Sequence, residues 1–164
     1  MKTRELAIGA LLAALSLVIP TAFGFLRVTI PPWTATLTSH VPTMLAMFVS
    51  PIVALAVGLA SGIGFLIATG LAIVAARAFT HALWGVLGAM LYKRGMKPWL
   101  VLAIILPVHA LLEALVVLPF GYSLSQGLWV VGVGTALHHT VDAAITLAVL
   151  GVVLRAAGRP AVKV

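Results

Sequence analysis

A chain of 164 residues that is 63% hydrophobic and 8% charged is too apolar for a soluble domain, which carries about 25% charge. Its mean hydropathy of +1.23 places it in a bilayer as one small integral bundle. The absence of cysteine removes disulfides, thiolate catalysis and cysteine metal sites, and the net charge of +7 marks one membrane face rather than a nucleic-acid surface.

The first predicted helix, residues 5–20, follows Lys2 and Arg4 and stops at the ring of Pro20. Glu5 spoils the basic start of a signal peptide and no small-x-small cleavage site follows, so the segment reads as a span. Ala10 and Ala14 stand four residues apart, as do Gly9 and Ala13, a spacing that lets another helix approach closely but also arises by chance in alanine-rich helices. From Thr21 to Thr38 no apolar run persists, and Gly24, Arg27, Pro31, Pro32 and Trp33 predict a long outer loop, either a lid or an interfacial segment anchored by Trp33. A second helix, 36–50, has Ser39 as a candidate N-cap; from Ser39 onward it is only ~18 Å long, short for a ~30 Å hydrocarbon core.

The third helix, 51–68, starts on Pro51 and is thinned by Gly58, Gly62 and Gly64 for close packing. No strand precedes Gly62-Ile-Gly64, so it is not a dinucleotide fingerprint. The fourth, 75–92, puts Arg77, Thr80, His81, Trp84 and Gly88 on one face. The fifth, 99–120, carries His109 and Glu113 one turn apart, with a kink expected at Pro107. In the sixth, 128–154, Thr135, His138, His139, Asp142 and Thr146 fall within an arc of about 100°. Such a stripe must face protein or water, because ionisable groups are expensive in hydrocarbon and turn toward a bundle interior or a substrate path. An interhelical hydrogen-bond network would also explain it, without any ligand.

These elements predict an all-α membrane protein: a six-transmembrane-helix bundle forming a single integral domain over residues 1–164, with both termini cytoplasmic. Lys2, Arg4, Lys93, Arg94, Lys97, Arg155, Arg159 and Lys163 share one side, which is therefore cytoplasmic. Arg27 and Arg77 break that rule and become candidates for a task. His40, Arg77, His81, Glu113 and His138 converge toward an outward-facing pocket. The chain has no phosphate loop, no H-E-x-x-H zinc motif and no nucleophile elbow, so it is not an enzyme and cannot hydrolyse ATP. It is also short for the two repeated halves of many secondary transporters. A substrate-capturing subunit driven by partners fits these absences.

The chain resembles the S component, the substrate-binding membrane subunit, of an energy-coupling factor (ECF) vitamin transporter. General support comes from the six apolar helices, the Ala10/Ala14 pair and the long first outer loop. More specific are Thr38-Ser-His-Val-Pro-Thr-Met-Leu-Ala-Met-Phe-Val-Ser-Pro51, Ala82-Leu-Trp-Gly-Val-Leu-Gly-Ala89, His109-Ala-Leu-Leu-Glu113 and Val133-Gly-Thr-Ala-Leu-His138-His-Thr-Val-Asp142. Together these are similar to the niacin-transporter subgroup, the NiaX type. The resemblance implies vitamin binding at the outer side of a prokaryotic cell membrane, uptake driven by a transmembrane coupling protein and two ATPases, and a coupling surface containing Ala10 and Ala14. No cofactor is expected.

For niacin, an aromatic ring bearing a carboxylate, Arg77 is the expected carboxylate fork. Trp84 is placed to stack on the ring, and His81 or His138 to bond its nitrogen. Glu113 and Asp142 then hold histidine tautomers. His40, His109 and His139 complete the candidate substrate-binding set. Each has a plainer reading: Arg77 as an interfacial arginine snorkelling to headgroups, Trp84 as core packing, His40 and His109 as helix-start and packing residues. Two alternatives stand beside niacin. One is another small vitamin or a transition metal held by the histidines with Glu113 and Asp142; Lys2, where metal-specific relatives resemble chains with histidine after Met1, speaks against the metal. The other is a haem-binding electron carrier with axial histidines, which would be coloured.

Overall fold

In the computed structural model, residues 2–156 are described; Arg159 and Lys163, two of the predicted cytoplasmic cations, lie outside them. Six helices and one hairpin make up the fold: α1 (Thr3–Ala22), β1 (Arg27–Ile30), β2 (Trp33–Thr36), α2 (Val41–Met47), α3 (Pro51–Thr69), α4 (Ala72–Lys93), α5 (Pro98–Val116) and α6 (Val133–Ala156). A helical turn at Leu124–Gln126 and a π-helical stretch at Gly127–Gly132 run directly into α6. Five of these segments are long and apolar enough to cross a membrane, which makes this a multi-pass membrane protein.

The local chemistry explains the boundaries. Ser50 caps α3 by accepting from Val53 N at 3.3 Å, and Pro51 fills the first turn, where a missing N–H is harmless. Gly70, at φ +67°, ends the helix in the left-handed conformation that glycine adopts without strain. A Cβ on Gly58 would run into the backbone of His81 and Ala82, so α3 and α4 touch backbone to backbone there. On the other side of α3, a Cβ on Gly64 would lie 2.6 Å from the Ser16 carbonyl of α1. The expected close packing therefore involves two faces of α3.

Three sequence expectations are corrected. Helix α1 continues to Ala22, because Pro20 removes only one hydrogen bond and Phe23 N still closes the last turn on Ile19 O at 3.0 Å. The expected outer loop contains an antiparallel hairpin, with Arg27 opposite Thr36 and Ile30 opposite Trp33 across Pro31–Pro32. Its strands, Arg-Val-Thr-Ile and Trp-Thr-Ala-Thr, are rich in β-branched residues, a signal overshadowed by the prolines. The second span, predicted over 36–50, is the seven-residue α2, too short at ~1.5 Å per residue to cross a bilayer as a helix, so five helices long enough to cross stand where six were expected. The chain still passes from the hairpin to the basic end, where Ser50 and Pro51 share a cavity with Glu5 and Lys93. Helix α2 is buried on nearly every side, between α1, α3, α4 and α6.

A dry core of Met44, Met47, Val53, Val57, Trp84, Val101 and Ile105 fills the middle of the bundle. The hairpin closes one end. The opposite end carries Lys93, Arg94 and Lys97.

Candidate substrate-binding site

Between the dry core and the hairpin, the polar faces of α4, α5 and α6 turn toward one another. Glu113 of α5 is their hub. Its Oε2 accepts from Arg77 Nε at 3.0 Å, Arg77 Nη2 at 2.6 Å and the Thr135 hydroxyl at 2.7 Å. Its Oε1 faces His109 Nε2 at 3.2 Å and His81 Nε2 at 3.5 Å. Arg77 has donors to spare, and these reach the hairpin: Nη1 to Pro32 O and Thr34 Oγ1, both at 3.3 Å, and Nη2 to Thr34 O at 3.1 Å. Only arginine's planar five-donor fork serves a carboxylate and a strand together. At 4% exposure its guanidinium points into protein rather than out to headgroups.

A second chain of contacts runs from Glu113 away from the hairpin. His109 Nδ1 meets His139 Nδ1 at 3.0 Å, and His139 Nε2 meets the Leu102 carbonyl at 3.0 Å. The second carboxylate, Asp142, acts differently. Its Oδ1 accepts from Thr38 N at 2.9 Å and its Oδ2 from His40 N at 3.0 Å, so it caps the entry to α2 from another helix. Thr38 stands at φ +70°, an unfavourable conformation for a β-branched residue, held where Asp142 grips its amide. The expected cap, Ser39, does not hold the N-cap position; His40 does, and its side chain accepts no cap bond.

Arg77, His81, Glu113, His40 and His138 line one cavity together with Thr34 of the hairpin. Its volume of about 20 Å³ is roughly what one water needs, so the hairpin is closed over the cluster. Three imidazole nitrogens are buried there without hydrogen-bond partners: His40 Nδ1, His81 Nε2 and His138 Nε2. Two of them lie 3.3 and 3.2 Å from Asp142 Oδ2 without being aligned on it. Unpartnered polar atoms in a closed apolar bundle are costly, and here they converge. Trp84 lies one layer deeper, its ring 4.5 Å from that of His109 and 5.2 Å from that of His81, outside the cavity lining. His109, His139 and Asp142 stand behind the lining residues. A larger cavity of about 340 Å³ opens at the basic end among Glu5, Met47, Tyr92 and Lys93, and its lining contains no histidine.

Two donor sets come close enough to consider a metal: His40, His81, His109 and Glu113, and His40, His138 and Asp142, each within 4.8 Å. Neither suits one well. The first shares its carboxylate with a guanidinium, whose charge opposes a dication, and both Asp142 oxygens are already engaged by backbone amides.

Thr34, Ser61 and Leu102 were not among the residues expected at the site. Ser61 bonds His81 Nδ1 at 2.9 Å, and as a lone hydroxyl among the glycines of α3 it carried a readable signal. Thr34 sits in the misread loop, and Leu102 contributes a carbonyl, which no side chain announces. On α1, Ala10 and Ala14 are exposed together with Leu6, Leu11 and Val18, whereas Gly9 packs on Val53.

Fold and site thus define a small multi-pass membrane protein with a polar, charge-paired pocket beneath a hairpin, the build of a transport protein's binding subunit. The chain is 33% identical to the niacin transporter NiaX of Lactococcus lactis subsp. cremoris (strain MG1363), an alignment covering 94% of this chain and 77% of the relative. It belongs to the NiaX family of ECF S components. No protein-family model and no solved structure matches it.

Proposed function

We propose that this protein captures nicotinic acid, or a closely related pyridine carboxylate, at the outer face of the cell membrane and delivers it to ATP-driven partner subunits. The observation that carries the reading is the buried cluster beneath the hairpin: one guanidinium and three unpartnered imidazole nitrogens around one cavity. The name of the 33% identical relative supports the same vitamin. In this reading the basic end is cytoplasmic, both termini lie on that side and the hairpin faces outward.

Arg77 takes the ring carboxylate. Because Arg77 also holds Pro32 and Thr34, a ligand that draws the guanidinium loosens the hairpin, and the cavity gains the room a ring needs. His81 or His138 donates to the ring nitrogen, while Glu113 and Asp142 orient the imidazoles. Trp84 stacks on the ring if the histidine layer parts. The exposed Ala10/Ala14 face of α1 receives the coupling protein, which works with two ATPases; Trp at both positions should spare vitamin binding and abolish uptake.

The test is titration of the purified, metal-free protein with nicotinic acid and nicotinamide, following tryptophan fluorescence. Trp84, with Trp33 packed on Gly134, should report, whereas Trp129 is 74% exposed and should not. Tight, acid-selective quenching that is lost in both Arg77→Ala and Arg77→Lys is expected. Unchanged affinity in both variants would remove Arg77 from the carboxylate, and silence toward both compounds would sink niacin.

A further inference from the structure

The contacts behind the cavity fix a proton count. A carbonyl only accepts, so His139 Nε2 carries hydrogen toward Leu102 O. The two Nδ1 atoms 3.0 Å apart need one hydrogen between them, and His109 Nε2 needs another to face Glu113 Oε1. Those three contacts demand three protons. Two neutral imidazoles supply two, so the relay Leu102–His139–His109–Glu113 holds one more than its neutral rings and an ionised carboxylate would. Arg77 and Thr135 place three donors on Glu113 Oε2, the bonding of a carboxylate, which leaves the extra proton on the imidazole pair.

Charge then ties the relay proton to an anionic ligand. Arg77 and the relay proton bring two positive charges and Glu113 one negative. The groups facing the relay are His40 from α2, Arg77 and His81 from α4, and His138 and Asp142 from α6. Asp142 is the one further anion among them, and it is held by the amides of Thr38 and His40. With Asp142 counted, two positive charges meet two negative ones and the protonated cluster is neutral before a ligand enters; without the relay proton, a bound monocarboxylate would be the third buried negative charge against one guanidinium.

Resting on the niacin reading above, we infer that the His109–His139 pair is a proton-binding site whose charge makes the pocket select an anionic ring ligand over its neutral amide. The proton is a co-ligand: it forms an N–H bond within the pair and stays there while the carboxylate is bound. Affinity for the anion is therefore full while the relay is protonated and falls as rising pH removes that proton.

The first measurement needs no ligand. Nitrogen-15 NMR of histidine-labelled protein, with His109 and His139 assigned by difference from His139→Gln, should find one doubly protonated ring in the pair over the pH range in which the protein binds nicotinate. Two neutral rings would overturn the inference whatever the protein binds. The second is calorimetry with nicotinate and nicotinamide, in chelator-containing buffers of differing ionisation heat, across increasing pH. Nicotinate affinity should fall by about tenfold per pH unit on the alkaline side, with one proton taken up per anion bound, while nicotinamide affinity stays flat. In His139→Gln the glutamine amide still reaches the Leu102 carbonyl, His109 gives its single proton to Glu113, and the slope should vanish. Nicotinate binding with no pH slope and no proton exchange would refute the co-ligand. Failure of nicotinate to bind at any pH counts against the niacin reading, and the NMR result still decides the relay.

Discussion

Glu113 and Asp142 are both buried carboxylates, yet the molecule uses them in opposite ways. Every partner of Glu113 is a side chain, drawn from α4, α5 and α6, whereas the aligned partners of Asp142 are the backbone amides of Thr38 and His40. Side-chain partners can rotate away and accept a different anion. Amides cannot, without moving the chain that carries them. Glu113 therefore sits in the part of the pocket that can exchange partners, and Asp142 in the part that fixes α2 and the base of the hairpin.

The sharpest way to break that contrast is Asp142→Ala. It orphans the buried amide of His40 and the half-buried amide of the strained Thr38, and the expected loss is on the order of 3–5 kcal/mol, read as a large fall in the thermal midpoint in detergent. Asp142→Asn, which keeps one acceptor, should fall between the variant and the parent. An alanine variant as stable as the parent would mean that Asp142 is free to serve ligand instead.

The Arg77–Glu113 pair should respond differently. Arg77→Gln alone leaves a buried carboxylate without its cation and should lose about 3–5 kcal/mol. Adding Glu113→Gln removes the orphan charge and should restore much of that stability while nicotinate binding stays lost. The double-mutant cycle isolates the coupling, since the two side chains are in contact. Additive losses would show that the pair is not held by charge.

Much of this was legible in the helix period. The stripe from Thr135 to Thr146 faces inward as its spacing requires, with Thr135, His139, Asp142 and Thr146 all buried. The partners were not legible. A carbonyl such as that of Leu102 carries no residue signature, and the Pro31–Pro32 corner hid two strands whose β-branched residues spoke for a hairpin. Spacing alone also could not separate the two small-residue pairs of α1: Gly9 packs on Val53, while Ala10 and Ala14 face outward. That choice depends on where α3 lies, which is a tertiary fact. The short α2 is the same kind of case, since its end is set by a carboxylate more than a hundred residues away.

The smallest expected effect separates the two ends of that one stripe. Thr135 donates to the Glu113 carboxylate at 2.7 Å, whereas Thr146 donates to the Asp142 backbone carbonyl at 2.7 Å and lies 3.4 Å from Met44 Sδ. Valine keeps the shape of threonine and removes the hydroxyl. At position 135 it deletes a hydrogen bond to a charged group, for which about 1.5–3 kcal/mol is expected, together with weaker nicotinate binding because Glu113 loses an anchor. At position 146 the lost bond is a local one within the helix, α6 keeps its own backbone ladder, and about 0.5 kcal/mol or less is expected with nicotinate affinity unchanged. Thermal unfolding and nicotinate titration of Thr135→Val and Thr146→Val side by side check this. Equal losses of affinity would mean that the whole stripe serves the ligand, and the division between Glu113 and Asp142 would fail with it.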